Sequence, residues 1–355
     1  MARAKRLGSL FAIFSQILAI SSCDEPGLTE LAYSGENLDY YTDSSDLCAG
    51  TPIYMDTQLS ILRNLFGTSG KKIRYYWLTT VESLVEYCGK EVKGCWIRKH
   101  QSATTFRSTH VHELVHAAST EGYRAPKYFR EGTAEIFDFI HTGEPETVDD
   151  IDGDLLFETP TPRSIFQGAA LISSLAERTS LLTVVEFLRD SPTDEELDEV
   201  FEEHFGESID QAIEAYLSRP RCNRISQRLA IQECRLPATP SIDKTWAFED
   251  EFNCAEDQHV LGPQDNSIWT YRTIELDADN LAEVTMQGQL DHAYLQIVRC
   301  SPCSRGISQR IVPSSGEKSR GSLSETVFLS AGKYYIEFHQ ELGGAPYETQ
   351  LELVY

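Results

Sequence analysis

Positive charge is scarce in this chain of 355 residues. It carries 31 lysine and arginine residues against 55 aspartate and glutamate residues, which gives a formal net charge of -24 at pH 7. This balance argues against nucleic acid as a partner and against electrostatic docking on anionic lipid surfaces. The chain also has no internal repeat and no long low-complexity tract. Its length exceeds what one hydrophobic core usually holds, so we predict two folded domains.

Long apolar runs are equally scarce, and the one prominent run covers residues 10–20. It follows a basic start and precedes small residues, which is the arrangement of an export signal over residues 1–22. The run is too short to span a bilayer comfortably, which argues against a permanent anchor helix.

The segment Ile20-Ser21-Ser22-Cys23 stands where the apolar run ends, and it resembles a bacterial lipobox. The resemblance implies cleavage before Cys23 and attachment of lipid to its sulfur and new amino terminus. The alternative is an ordinary cleaved signal with a spare cysteine. We predict a lipoprotein of the bacterial cell envelope, on the periplasmic face or the outer surface, with the lipid as its sole membrane anchor. Residues 23–47 would form the anchor and tether, part of which pairs as a strand around residues 38–42.

Apart from Cys23, eight cysteines remain, and an even number in an exported chain predicts disulfides. The candidates are Cys48, Cys88, Cys95, Cys222, Cys234, Cys254, Cys300 and Cys303. Cys222 with Cys234 is a simple local pair, and Cys88 with Cys95 and Cys254 with Cys300 or Cys303 are further options. The sequence does not determine the connectivity. A redox or metal role for Cys300 and Cys303 is the alternative, but the chain has no second CxxC motif.

The segment His112-Glu113-Leu114-Val115-His116 is the most informative motif of the chain. On an α-helix, His112 and His116 stand nearly above one another and can share one metal ion. The apolar positions around them follow helical spacing and predict a half-buried helix; they are Val111, Leu114, Val115 and Ala118. This arrangement is typical of a hydrolytic zinc site. His110 lies about 140° around the helix from the pair, which favours a solvent or packing role for it.

A third ligand is expected on the next helix, for which Pro126 suits the first turn. Glu131 would complete a site of two histidines and one glutamate. Gly132 costs about 1 kcal/mol relative to alanine inside a helix, which is understandable if this helix approaches the first one closely. Glu135 stands one turn further on and would orient a ligating histidine. The alternative is a surface helix with ordinary acidic residues.

The combination of His112-Glu113-x-x-His116 with Glu131-Gly132-x-Ala134-Glu135 resembles the gluzincin metallopeptidases, the group of thermolysin and the zinc aminopeptidases. Residues 164–170 and 201–208 resemble later segments of such domains, so the resemblance covers about residues 48–220. It implies a zincin-like domain with a small sheet and a helical half, and one zinc ion per chain. Glu113 would be the general base that takes a proton from the zinc-bound water during hydrolysis of a peptide or protein substrate.

One position departs from the family pattern. Where aminopeptidase relatives carry a tyrosine that stabilises the oxyanion, this chain has Phe166. The enzyme would be slower, or Tyr123, His141 or another group would replace the tyrosine, or activity would be absent. The last option gives the alternative function, a binding lipoprotein that retains the scaffold. Because no motif for gating free amino termini is visible, we predict an endopeptidase. The segment at residues 104–106 would be an edge strand that holds extended substrate.

The periodicity of the remaining chain predicts an α+β fold followed by a β-sandwich. Helices are expected near residues 55–65, 81–87, 166–177, 182–188, 195–204 and 209–217, and strands near 72–78 and 95–99. The acidic segment 144–154 lacks ordered calcium-ligand spacing, so a solvated loop is favoured over a calcium site. Residues 221–240 form a disulfide-bearing connector. Residues 241–355 alternate with period two and loosely resemble jelly-roll-like domains of secreted bacterial peptidases, which would bind substrate, surface polymer or partner.

Overall fold

The computed structural model describes residues 29–119, 123–138, 151, 161–191, 196–219, 227–250, 252–290, 292–301, 309–312, 321–344 and 347–354. Within these ranges the protein is a mixed α+β structure with eight α-helices and three β-sheets. Several sequence predictions fall outside them, namely the signal at residues 1–22, Cys23, His141, most of the acidic segment 144–154, Cys222 and Cys303. In the part of the chain that is described, no helix has the length and apolar character that crossing a membrane requires.

The first sheet contains five strands in the order β1-β2-β3-β5-β4. The strands are β1 (Glu30–Ser34), β2 (Leu38–Thr42), β3 (Ile73–Trp77), β4 (Gly94–Ile97) and β5 (Ser102–Thr105). Strands β2, β3 and β5 run parallel, while β1 and β4 are antiparallel to their neighbours. The prediction of an edge strand at residues 104–106 is therefore wrong. A 3-10 turn at Arg98–His100 reverses the chain so that β5 pairs with both β3 and β4, which leaves β4 at the edge.

Two helices cover opposite faces of this sheet. Helix α1 (Gly50–Phe66) packs Met55 and Leu59 into a core shared with Tyr40 and Tyr75. Helix α2 (Val81–Cys88) packs Leu84 with residues of the opposite face of the sheet. Alternation of side chains along each strand produces this division, since neighbouring residues point to opposite faces.

Six further helices form the helical half. They are α3 (Val111–Ala118), α4 (Lys127–Ile136), α5 (Pro162–Arg178), α6 (Leu181–Asp190), α7 (Leu197–Phe205) and α8 (Ile209–Leu217). Capping boxes begin α5 at Thr161 and α8 at Ser208, and each satisfies amide groups that the first turn leaves unpaired. Their common core includes the rings of Phe129, Phe187 and Phe201. The predicted helices are confirmed here, with ends shifted by a few residues.

Helices α4 and α5 cross where Gly132 meets Gly168. A Cβ atom added to Gly132 would lie 2.5 Å from the carbonyl carbon of Gly168, and one added to Gly168 would lie 2.8 Å from the carbonyl oxygen of Tyr128. The partner atoms are backbone, so they cannot move aside by a change of rotamer. The close approach expected from Gly132 is therefore present, but with α5 rather than with the preceding helix.

Replacing Gly132 with alanine tests this contact because helix propensity and the contact have opposite effects on the stability of the fold. Helix propensity alone would stabilise the protein by about 1 kcal/mol. The clash with Gly168 should outweigh that gain, since overpacking a tight core costs about 1–3 kcal/mol. We expect a lower midpoint in urea denaturation. A higher midpoint would contradict the close crossing of these helices.

The C-terminal part is a β-sandwich, as the period-two pattern predicted. One sheet has the order β11-β10-β13-β8-β7 and the other has the order β12-β9-β14-β6. The strands are β6 (Thr245–Asp250), β7 (Leu261–Gln264), β8 (Ser267–Leu276), β9 (Asn280–Gly288), β10 (Tyr294–Arg299), β11 (Gln309–Ile311), β12 (Ser322–Leu329), β13 (Gly332–Glu341) and β14 (Tyr347–Val354). Inward-facing residues such as Val284, Ile297 and Phe338 form a core between the sheets.

The outer face of the five-stranded sheet of the sandwich is buried as well. Trp269 on β8 joins the core of the first part of the protein, and Tyr335 on β13 packs against Ala230 of the connector. Gly50 at the start of α1 has no room for a Cβ atom, which would lie 2.5 Å from the carbonyl oxygen of Gln258. The sandwich is thus packed directly against α1 and the connector.

A buried ionic cluster lies in this joint. Arg228 of the connector donates hydrogen bonds of 2.6 Å to Glu233 in the same segment and to Glu337 on β13. Tyr54 on α1 donates a hydrogen bond of 2.9 Å to Glu233, and His339 lies 3.1 Å from Glu337. All the charged side chains are almost completely buried. The cluster therefore connects α1, the connector and the sandwich.

Three disulfides are described, namely Cys48–Cys254, Cys88–Cys95 and Cys234–Cys300. The pairing of Cys88 with Cys95 is confirmed. The options of Cys222 with Cys234 and of Cys254 with Cys300 or Cys303 are wrong. The packing of the sandwich on α1 brings Cys254 to Cys48 and brings Cys300, at the end of β10, to Cys234. These are contacts between distant segments that spacing along the chain does not reveal.

Candidate metal centre

Two adjacent helices bring three potential metal ligands together. His112 and His116 stand one turn apart on α3, and Glu131 lies on α4. The Nε2 atoms of the two histidines are 3.2 Å apart, and Oε2 of Glu131 lies 3.2 Å from the first and 3.3 Å from the second. Among the described residues, this is the one group of histidine, cysteine and acidic side chains that converges closely enough to hold a metal ion.

This triangle of ligand atoms fits one zinc ion. Tetrahedral zinc with bonds of about 2.0–2.1 Å separates neighbouring ligand atoms by about 3.3–3.4 Å. The three distances observed agree with that spacing within about 0.2 Å. Two imidazoles and one carboxylate are also a ligand set that zinc accepts, and three protein ligands leave a fourth position for water or substrate.

Glu135, one turn after Glu131, contacts one of the three potential ligands. Its Oε2 atom lies 3.5 Å from Nδ1 of His112, which leaves Nε2 directed at the shared position. Burial alone would lower the pKa of His112, but Glu131 and Glu135 outweigh it and raise that pKa well above its usual value. Burial likewise opposes ionisation of Glu131, yet His112 and His116 hold its pKa well below the usual range. The histidines and the carboxylates therefore attract one another strongly.

Glu113 lies on the same helix as the two histidines but is not one of the three converging residues. It follows His112 on α3, and its side chain is almost completely buried. Burial raises the pKa of Glu113, and the nearby His112 and His116 partly oppose this shift. A raised pKa brings a carboxylate closer to neutral pH, which is the range in which a base exchanges protons effectively.

His110 is not one of the converging ligands, and it has the packing role that its helical angle favoured. Its ring is buried and stacks on that of His112, with centroids 5.6 Å apart. Its Nε2 atom lies 3.5 Å from Oδ2 of Asp138, which also accepts a hydrogen bond of 3.3 Å from Arg107. Sequence reasoning missed Arg107 and Asp138, because neither stands at a regular spacing from the motif.

Two of the residues considered for the oxyanion position, Phe166 and Tyr123, lie within the described part of the chain. Phe166 lies on α5 and its ring packs against the hydrophobic core. Tyr123 was one proposed replacement, but its hydroxyl donates a hydrogen bond of 3.0 Å to the carbonyl oxygen of Phe66. Its ring also packs edge-on against that phenylalanine. Tyr123 is therefore engaged in the core, and His141 lies outside the described residues.

Comparison with known proteins adds little to this geometry. No family model matches the chain, and no curated protein matches it. Among solved structures, the pre-peptidase C-terminal domain of a collagenase from Bacillus anthracis aligns with 34% of this chain and 99% of its own, at 10% identity and a TM-score of 0.22. A carbohydrate-binding module from Cellvibrio mixtus lichenase 5A aligns with 32% of this chain and 88% of its own, at 13% identity and a TM-score of 0.19. TM-scores this low support no inference about function. Such an inference therefore rests on the geometry of the three side chains alone.

Proposed function

We propose that this protein is a membrane-anchored zinc metallopeptidase with a gluzincin-like site that hydrolyses internal peptide bonds. The observation that carries the proposal is the triangle of His112, His116 and Glu131 atoms with the spacing of tetrahedral zinc ligands. One zinc ion per chain would be the cofactor. When bound, it would polarise the scissile carbonyl and lower the pKa of a water molecule.

Glu113 supplies the proton transfers. Its carboxylate accepts a proton from the attacking water and then donates it to the leaving amine. Its buried position raises its affinity for that proton, since burial raises its pKa. Loading of the metal alone would not require a base at this position, so Glu113 favours catalysis over passive binding of a metal.

Strand β4 is the surface on which an extended substrate would lie. It is the edge of the first sheet, and within the described residues its one strand partner is β5. Its position next to α3 puts an unpaired strand edge beside the metal centre, where a peptide could add by main-chain hydrogen bonds. Anchoring at Cys23 would place this site at the cell envelope, where the substrate would be a peptide or protein.

The test is to measure zinc content and hydrolysis of a mixed peptide library by the full-length protein in detergent. Glu113→Gln should retain stoichiometric zinc and reduce cleavage at least a hundredfold, because it preserves shape but removes the base. His116→Ala is the matched control that should lose both zinc and cleavage. A wild-type protein without zinc would refute the metal centre.

A catalytically weak or inactive binding lipoprotein is the second candidate. Phe166 in place of the oxyanion tyrosine favours it, as does the engagement of Tyr123 with Phe66. Losing one oxyanion donor costs about 2.7–4 kcal/mol of barrier, which is enough to suppress turnover strongly. Stoichiometric zinc without cleavage in either wild type or Glu113→Gln would support this function over the peptidase.

A further inference from the structure

The Glu113 carboxylate and the His110 ring meet at Gly94, on the edge strand β4. A Cβ atom added to Gly94 would lie 2.6 Å from Nδ1 of His110 and 2.9 Å from Oε1 of Glu113. One methyl group would thus clash with both side chains. Only glycine at this position lets the imidazole and the carboxylate share the space beside β4.

Both the main chain and the ring of His110 have partners. Its backbone amide donates a hydrogen bond of 2.9 Å to the hydroxyl of Tyr75, whose own hydroxyl donates to the carbonyl oxygen of Arg107. Its Nε2 atom lies 3.5 Å from Asp138, and its ring stacks on His112. The hydrogen bond to Tyr75 fixes the main chain, and the contacts with Asp138 and His112 restrict rotation of the ring.

The Nδ1 atom of His110 is buried and has no hydrogen-bond partner within the described chain. A buried polar atom without a partner costs about 1–3 kcal/mol, so a purely structural residue here would be better as an apolar one. This atom is the one that shares the space beside Gly94 with Glu113.

We propose that His110 is a positioning residue for Glu113, with the fixed imidazole and Gly94 together setting the place of the carboxylate. This inference rests on the proposed function. The ring, which contacts Asp138 and stacks on His112, forms a wall that limits how far the carboxylate can move toward β4. A displacement of about 1 Å in a catalytic group costs on the order of a hundredfold in rate, so such a wall matters for turnover.

The test compares His110→Ala, Gly94→Ala and the double variant in the full-length, zinc-loaded protein. Each single change should lower kcat on the peptide library at least tenfold, with zinc affinity within threefold of wild type and KM little changed. In the double variant the new methyl group occupies space that the imidazole has left, so kcat should recover relative to Gly94→Ala. His259→Ala, which removes an exposed histidine of the sandwich, is the control.

A second readout does not depend on turnover. Acetohydroxamate binds zinc and donates a hydrogen bond to a neighbouring base, so its affinity reports the position of Glu113. The affinity of Glu113→Gln shows how much binding is lost when that base is absent. We expect His110→Ala and Gly94→Ala to weaken this affinity at least tenfold. Unchanged affinity and kcat, or loss of zinc from the variants, would overturn the positioning role. Absence of zinc from the wild type would instead refute the proposed function.

Discussion

Replacing Arg228 with methionine is expected to lower the free energy of unfolding by about 3–5 kcal/mol, the range for removing one partner of a buried ion pair. Arg228 donates to both Glu233 and Glu337 at 2.6 Å, and the side chains of all three are at most 2% exposed. Burial opposes ionisation of Glu337, but Arg228, together with His339, outweighs it and holds the pKa of Glu337 below its usual value. Without the guanidinium, the two buried carboxylates would lose the positive charge with which both are paired.

Urea denaturation followed by tryptophan fluorescence measures this effect. Arg235→Met is the matched control, since Arg235 belongs to the same connector but is exposed, and its change should stay within about 0.5 kcal/mol. Adding Glu233→Gln and Glu337→Gln to Arg228→Met should recover part of the loss, because the uncompensated charges disappear. Equal midpoints for Arg228→Met and Arg235→Met would show that the cluster contributes little to the joint.

Removing zinc should lower the free energy of unfolding by about 4 kcal/mol, compared with protein in free zinc at a thousand times its Kd. The three potential ligands lie on α3 and α4, so a bound ion would cross-link two helices that unfolding separates. Thermal denaturation with a chelator and with added zinc provides the comparison. The same protein carrying Glu131→Gln should respond far less, because the triangle then lacks its carboxylate corner.

Identical melting curves for the wild type with chelator and with zinc would contradict a structural contribution of the metal. They would also weaken the proposed function, since tight binding to the folded state must stabilise it. A zinc response that persists undiminished in Glu131→Gln would point to ligands other than the triangle.

The sequence revealed the parts of the site that local geometry controls. His112 and His116 share one turn of helix, and Glu131 and Glu135 share one turn of the next, so spacing predicted each pair. That Glu131 joins the histidines was expected from its place downstream of the motif and from the family resemblance. Gly94, Arg107 and Asp138 were not predicted. They reach His110 and Glu113 through contacts between a strand, a loop and the end of a helix, and residue spacing carries no signal for such contacts.

The same distinction applies to the fold. Helical and strand periodicity located most elements, because these patterns depend on neighbours along the chain. The order of strands depends on long-range pairing, which is why the segment at residues 104–106 was placed at the edge when β4 lies there. The disulfides followed the same rule, since the pair separated by 7 residues was anticipated and the pair separated by 206 was not.

The Cys48–Cys254 disulfide has a topological consequence. It closes a covalent ring around everything from α1 to the first strand of the sandwich, including both helices that carry the three potential metal ligands. A protease that cuts once between residues 49 and 253 opens this ring without separating the products, which stay joined through sulfur. A single nick would then leave the histidines and Glu131 on one covalently connected molecule.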